Sequence, residues 1–121
     1  MINETVRQAL IEAGMDFDTA KARFMDDDAI LEKFLIKFLA DPSFTELKGA
    51  VEARDLDLAF RGAHTLKGVA ANFSFDRLSE TASKQTELFR AGDLDGGIAV
   101  MPEVEAAYLA VASVIKEAFG Q

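Results

Sequence analysis

An all-α fold, an antiparallel four-helix bundle with an additional short N-terminal helix, is what this sequence predicts, and three observations carry it. Apolar residues recur at three- and four-residue spacing in segment after segment. Helix-forming Ala, Leu, Glu and Lys are frequent among the 121 residues, and there are only two prolines. Short cap and stop signals separate the segments, so neighbouring helices must run antiparallel.

Taken in order, Asn3 to Ala13 forms a first helix, with Val6, Leu10 and Ala13 on one face and Gly14 just past its end. Asp16 to Phe24 reads as a connector with one helical turn, its Phe17 and Phe24 covering the core. Asp26-Asp27-Asp28 supplies a cap and a negative first turn for a helix whose Ile30, Leu31, Phe34, Leu35, Phe38 and Leu39 make a wide apolar stripe. Asp41-Pro42 reads as a cap with proline at the first helical position, ahead of a helix that turns Phe44, Leu47 and Val51 inward. Asp55 caps a helix from Leu56 to Asn72 or Phe73. Ser74 or Asp76 caps the next, with Leu78, Ala82, Gln85 and Phe89 inside and Ala91-Gly92 at its end. The last helix starts near Asp93 and carries Leu94, Ile98, Met101, Leu109, Ala112, Ile115 and Phe119. Pro102 is expected to kink or restart it, and Gly96-Gly97 weakens the same region. No repeat or linker interrupts the chain, so 1–121 is expected to be a single domain.

Composition narrows the function. The net charge of −8 argues against phosphate-backbone binding and against an anionic membrane surface. Without cysteine there are no disulfides, thiolate metal sites or thiol nucleophiles, and a single histidine leaves no multi-histidine metal site. Met1-Ile2-Asn3-Glu4 is no secretory leader, and the stretch from Phe34 to Ala40, read as the most apolar, is too short to span a bilayer. A cytoplasmic monomer is the expectation, since no extra heptad seam is evident.

The helix containing His64 is the informative one. At about 100° per residue, Ala59, Ala63, Leu66, Ala70 and Phe73 share one narrow sector, flanked by Leu56, Gly62 and Val69. His64 lies roughly 130° from the centre of that sector and should face outward. Around it on the outer face fall Phe60, Lys67, Gly68 and Ala71: apolar or very small side chains and one cation. Such a patch around a polar centre has the character of a docking surface, extended by Phe24, Met25 or Phe75. A neutral imidazole is a nucleophile at neutral pH. An exposed one can meet phosphorus in line, and Lys67 would offset the dianion that results. Gly68 leaves room either for a partner or for close helix packing, and Phe60 flanks both core and surface.

The segment Ala63-His64-Thr65-Leu66-Lys67-Gly68-Val69-Ala70-Ala71-Asn72-Phe73 closely resembles the signature of histidine phosphotransfer (HPt) domains. That signature reads His-x-Leu-Lys-Gly, then small residues, an apolar residue and usually a glycine, where Ser74 stands here. Leu78, the Arg90-Ala91-Gly92-Asp93 turn, and Glu103-Val104-Glu105 before Tyr108 extend the likeness. The resemblance implies a four-helix bundle with His64 as phosphoacceptor through Nε2, Lys67 beside the phosphoryl group and Gly68 giving clearance. It implies a stoichiometric carrier, not an enzyme with turnover. The partners would be a response-regulator receiver domain, which brings the phospho-aspartate and Mg²⁺, and a sensor histidine kinase; the chain itself would need no cofactor or metal. Some family members orient the histidine with a glutamine on the next helix, and Gln85 and Thr86 occupy the comparable stretch.

Other classes fit less well. No Gly-rich phosphate loop or nucleotide-binding pattern is present. A kinase dimerisation domain would use a different histidine motif. A carboxylate-bridged metal bundle would need Glu-x-x-His pairs, which are absent. A helical interaction module without phosphotransfer stands as the second reading.

Overall fold

The structure, a computed structural model, describes residues 1–120, among which there are seven helices: α1 Glu4–Glu12, α2 Phe17–Arg23, α3 Asp28–Phe38, α4 Ser43–Glu52, α5 Leu56–Asn72, α6 Asp76–Arg90 and α7 Leu94–Phe119. α5 packs between α4 and α6, α6 between α5 and α7, and α7 closes back onto α3 and α4. The broken rod α3–α4 together with α5, α6 and α7 therefore makes the four-rod bundle, and α1 and α2 lie against α7 and α3. Leu31, Leu35, Leu47, Leu66, Leu78, Val104, Val111 and Ile115, all at or below 1% exposure, form the centre of the core.

Side-chain caps fix the helix starts. Asn3 accepts from the Val6 amide, Asp16 from Thr19, Asp27 from Ala29 and Ile30, Asp55 from Leu58 and Asp93 from Gly96. Each satisfies an amide the helix cannot pair internally, and the four aspartates also place negative charge at the positive end of the dipole.

Several elements differ from the sequence reading. The Asp16–Phe24 connector is a true helix of seven residues, because Asp16 caps it and Phe17 and Ala20 are buried. Pro42 occupies the cap position itself, while Asp41 accepts from the Ser43 amide at 2.8 Å. Neither Ser74 nor Asp76 caps α6; it starts after Phe75 without a side-chain cap. Pro102 neither ends nor restarts α7, which runs unbroken over 26 residues. Proline costs one amide donor there, and burial of Val100, Met101 and Val104 around it holds the helix. The inward face of α7 is also displaced: Val104, Ala107 and Val111 are buried and Leu109 is 51% exposed. The longest apolar element is thus α7, not the stretch from Phe34 to Ala40. By length and composition alone α7 could cross a membrane; here one side of it lines the bundle core.

Two glycines on α5 have opposite surroundings. A Cβ at Gly62 would stand 3.0 Å from the Leu47 Cα, so its lack of a side chain lets α4 and α5 close on each other. A Cβ at Gly68 would meet nothing within 4 Å. We therefore expect Gly62→Ala to destabilise the fold by about 1–3 kcal/mol, because backbone is the obstacle. Gly68→Ala should stabilise it by up to about 1 kcal/mol through helix propensity. Urea unfolding of the two variants checks both; equal signs would refute the contrast.

Candidate functional site

The site is built on the outer face of α5. Its inner stripe is buried as the wheel predicts: Ala59, Ala63, Leu66 and Ala70 are at most 1% exposed, and Phe73 is 8% exposed. His64 is exposed on the opposite side, in the middle of the helix. Gly68 and Ala71, one and two turns further on, are exposed, while Lys67 and Phe60 are half-buried.

The predicted residues do come together. The Phe60 and His64 rings stack with centroids 6.0 Å apart and planes 15° from parallel. Lys67, Gly68 and Ala71 share an open groove of about 470 Å³ with Ser79, Glu80 and Ser83 of α6. Lys67 forms no ion pair among the described residues, whereas Lys21, Lys48 and Lys84 each hold a carboxylate. An ammonium without a carboxylate partner, three residues from the imidazole, is free to meet an incoming anion. The space beside Gly68 is open, since a Cβ there would meet nothing within 4 Å, so close helix packing does not account for the glycine.

Neither Gln85 nor Thr86 is hydrogen-bonded to the His64 ring. Both are fully buried. The Gln85 Nε2 donates to the Gly97 carbonyl at 3.0 Å and lies 3.4 Å from the Met101 sulfur. The Thr86 hydroxyl donates to the Ala82 carbonyl of its own helix at 2.6 Å. The Gln85 amide nitrogen is thus engaged across the α6–α7 contact while its Oε1 is buried without a partner, Thr86 is bonded to its own helix, and among the described residues no hydrogen bond reaches the imidazole. Gly97 helps to bring α7 this close, since a Cβ there would collide with the Phe89 ring.

The sequence reading also misplaced Phe75 and overlooked Arg90 and Arg23. Phe75 is fully buried and cannot extend a docking surface, whereas Met25 is 79% exposed and Phe24 half-buried. Arg90, at the end of α6, places its guanidinium over the Phe60 ring, 5.0 Å from the centroid. Folding α5 and α6 about Phe75 sets position 60 opposite position 90, so the hairpin register held the clue. Arg23 of α2 donates to the Ala71 carbonyl and to the Ser74 hydroxyl, the latter at 3.0 Å, at the far end of the face. Beyond it, Phe24, Phe34, Lys37 and Phe73 line a second groove of about 470 Å³.

Among the described residues no cluster of three or more acidic or histidine side chains is placed to hold a metal ion. The arrangement offers an exposed nucleophilic imidazole, an available cation beside it and an apolar, sterically open rim.

Comparison with known proteins agrees with this geometry. No curated protein and no solved structure matches the chain. The family model described as "Hpt domain" matches residues 29–114, which takes in α4, α5, α6 and nearly all of α3 together with most of α7. With an all-helical bundle and more than half its length matched, this chain belongs to the Hpt domain family, whose members carry phosphoryl groups on histidine in phosphorelays.

Proposed function

We propose that this chain is a cytoplasmic, monomeric phosphorelay carrier in which His64 accepts a phosphoryl group from a receiver-domain aspartate, or from a sensor kinase, and returns it to another receiver. The observation that supports this most is the exposed His64 held on a rigid helix beside the unpaired Lys67. In the forward step the Nε2 lone pair of neutral His64 attacks phosphorus. The P–N bond forms as the P–O bond to the aspartate breaks, and the aspartate leaves as carboxylate. The Nδ1 proton stays on the ring, which becomes a phosphorylated imidazolium until it releases that proton or the phosphoryl group moves on. Phosphoryl transfer of this kind depends on positioning and charge compensation. Lys67 would compensate the transferring oxygens; the Mg²⁺ ion would belong to the receiver. Phe60, Gly68 and Ala71 form the rim against which the receiver closes, and a net charge of −8 disfavours nucleic acid and anionic membranes as partners.

Incubation with a labelled phospho-receiver and Mg²⁺ tests the reading. Wild-type protein should gain acid-labile label, and His64→Gln should gain none. Binding by both proteins with label on neither would establish a docking module in place of a carrier. Lys67→Gln should slow transfer about tenfold, as expected when one charge-assisted hydrogen bond is removed from the transition state. Gly68→Gln should impair transfer while its unfolding midpoint stays at or above that of the wild type. Wild-type transfer rates in Gly68→Gln would show that the open space at position 68 serves no partner.

A further inference from the structure

The geometry points to Phe60 as the positioning residue for His64, a ring shelf that is itself held by Arg90 and that replaces a hydrogen bond from α6 in aiming the imidazole. The inference rests on the carrier reading above.

An exposed imidazole on a helix turns about two side-chain torsions, and in-line attack uses only a narrow range of them. Something must restrict the ring. The α6 side chains considered for that role, Gln85 and Thr86, are buried, donate to the Gly97 and Ala82 carbonyls, and make no hydrogen bond to the imidazole. What stacks on the imidazole is Phe60, one turn earlier, nearly parallel at 15° and 6.0 Å between centroids. That separation is within the range in which offset aromatic pairs attract.

Phe60 is fixed in turn from its other neighbour. Arg90 lays its guanidinium over the ring at 5.0 Å, within the range of a cation–π contact. Its Nε donates to Glu87 at 3.3 Å, so the guanidinium is held by a carboxylate as well as by the ring. Arg90, Phe60 and His64 thus form a continuous series from the end of α6 to the middle of α5. Phe60 is half-buried at the margin of the core and Arg90 is exposed, so a substitution that keeps apolar bulk at position 60 leaves the core filled.

Phe60→Leu keeps apolar bulk and removes the stack; Arg90→Gln removes the cation and leaves Phe60 in place; Phe60→Tyr restores a ring. Two measurements separate aiming from docking. In the first, the His64 ring proton and nitrogen NMR signals of the unphosphorylated protein alone are compared. They should move in Phe60→Leu, move less in Arg90→Gln, and return close to wild type in Phe60→Tyr. In the second, single-turnover transfer from a phospho-receiver is followed as a function of receiver concentration. Phe60→Leu should lower the limiting rate roughly three- to tenfold, the value of one aromatic pair, with the half-saturating concentration little changed.

Unchanged ring signals and an unchanged limiting rate in Phe60→Leu would overturn the proposal. So would a change confined to the half-saturating concentration, which would make Phe60 a docking contact only. The ring signals need no phosphate and no partner. A wild-type protein that never acquires label would sink the carrier reading, and the NMR comparison would still decide whether Phe60 orients His64.

Discussion

The constraint on which the rest depends is the one-sided burial of α5. Its inner stripe consists of Ala59, Ala63, Leu66 and Ala70; the three alanines are small enough to let α4 and α6 approach closely, and Leu66 fills the centre of the core. A slip of one residue would turn the helix by about 100°. In the direction that carries His64 to the place of Ala63, it would push the imidazole into the core and swing Leu66 outward to the place of Thr65. Burying an imidazole without a partner costs on the order of 1–3 kcal/mol, and exposing a buried leucine costs a similar amount. The outward aim of the histidine is therefore set by packing on the far side of the same helix. Gly62 tightens the clamp from α4, where a methyl group would press on the Leu47 backbone.

The second control on the site is the turn between α5 and α6, where Ser74 adopts a left-handed conformation with φ 52°. A residue with a Cβ pays about 1–2 kcal/mol there. Several contacts offset that cost: the Ser74 carbonyl accepts from the Asp16 amide at 2.8 Å, its hydroxyl accepts from Arg23, and the Phe75 amide returns to the Ala70 carbonyl at 3.0 Å. Met15 and Phe75 add an isolated antiparallel bridge. Phe24 also stacks on Phe73 at 5.6 Å. The N-terminal helices, which the family match omits, thus hold the turn that sets the α5–α6 register. That register decides which α6 residues stand beside Phe60, His64 and Gly68.

Much of this was legible in the sequence, and the misses share a cause. The all-α bundle, the buried stripe of α5 and the exposed surface around His64 all follow from local periodicity, and a 3.6-residue period is strong when the stripe is narrow. The failures occurred where tertiary contacts outweigh local signals. The propensity cost of Pro102 is overridden by the buried neighbours that carry α7 past it. Leu109 looks inward on a wheel drawn through Leu94 and Ile98, but the packing of α7 on α6 selects Val104, Ala107 and Val111. Phe75 reads as a surface residue beside a turn, yet its ring is buried against Phe38 and Phe73. Gln85 and Thr86 lay in the right stretch of sequence for an orienting role. The direction of Gln85 is set by whether Gly97 lets α7 come near enough to accept the hydrogen bond, which no local pattern records. Arg90 lies 26 positions after His64, and only the hairpin register brings it close.

If His64 carries the phosphoryl group as proposed, the charges around it explain how an acidic chain could present a site for a dianion. Beyond about 8–10 Å, salt screens exposed charges from one another, so the total of −8 matters less than the immediate neighbours. Two of the acids nearest the histidine along the helices are each engaged by an arginine: Asp57 by Arg61 at 2.9 Å and Glu87 by Arg90 at 3.3 Å. These exposed pairs contribute little to stability. Their effect is local, since each cancels a charge that would oppose a phosphoryl group. Glu80 enters the groove beside Ala71 and Lys67 without forming an ion pair with that lysine. Lys67 itself forms no ion pair among the described residues, so its charge stays available on the face that carries His64. A surface that is acidic overall but carries an unpaired ammonium one turn from the histidine would resist polyanions in general. On the carrier reading proposed above it would still accept a single phosphoryl group delivered at the right place, and selectivity of this kind needs no enclosed pocket.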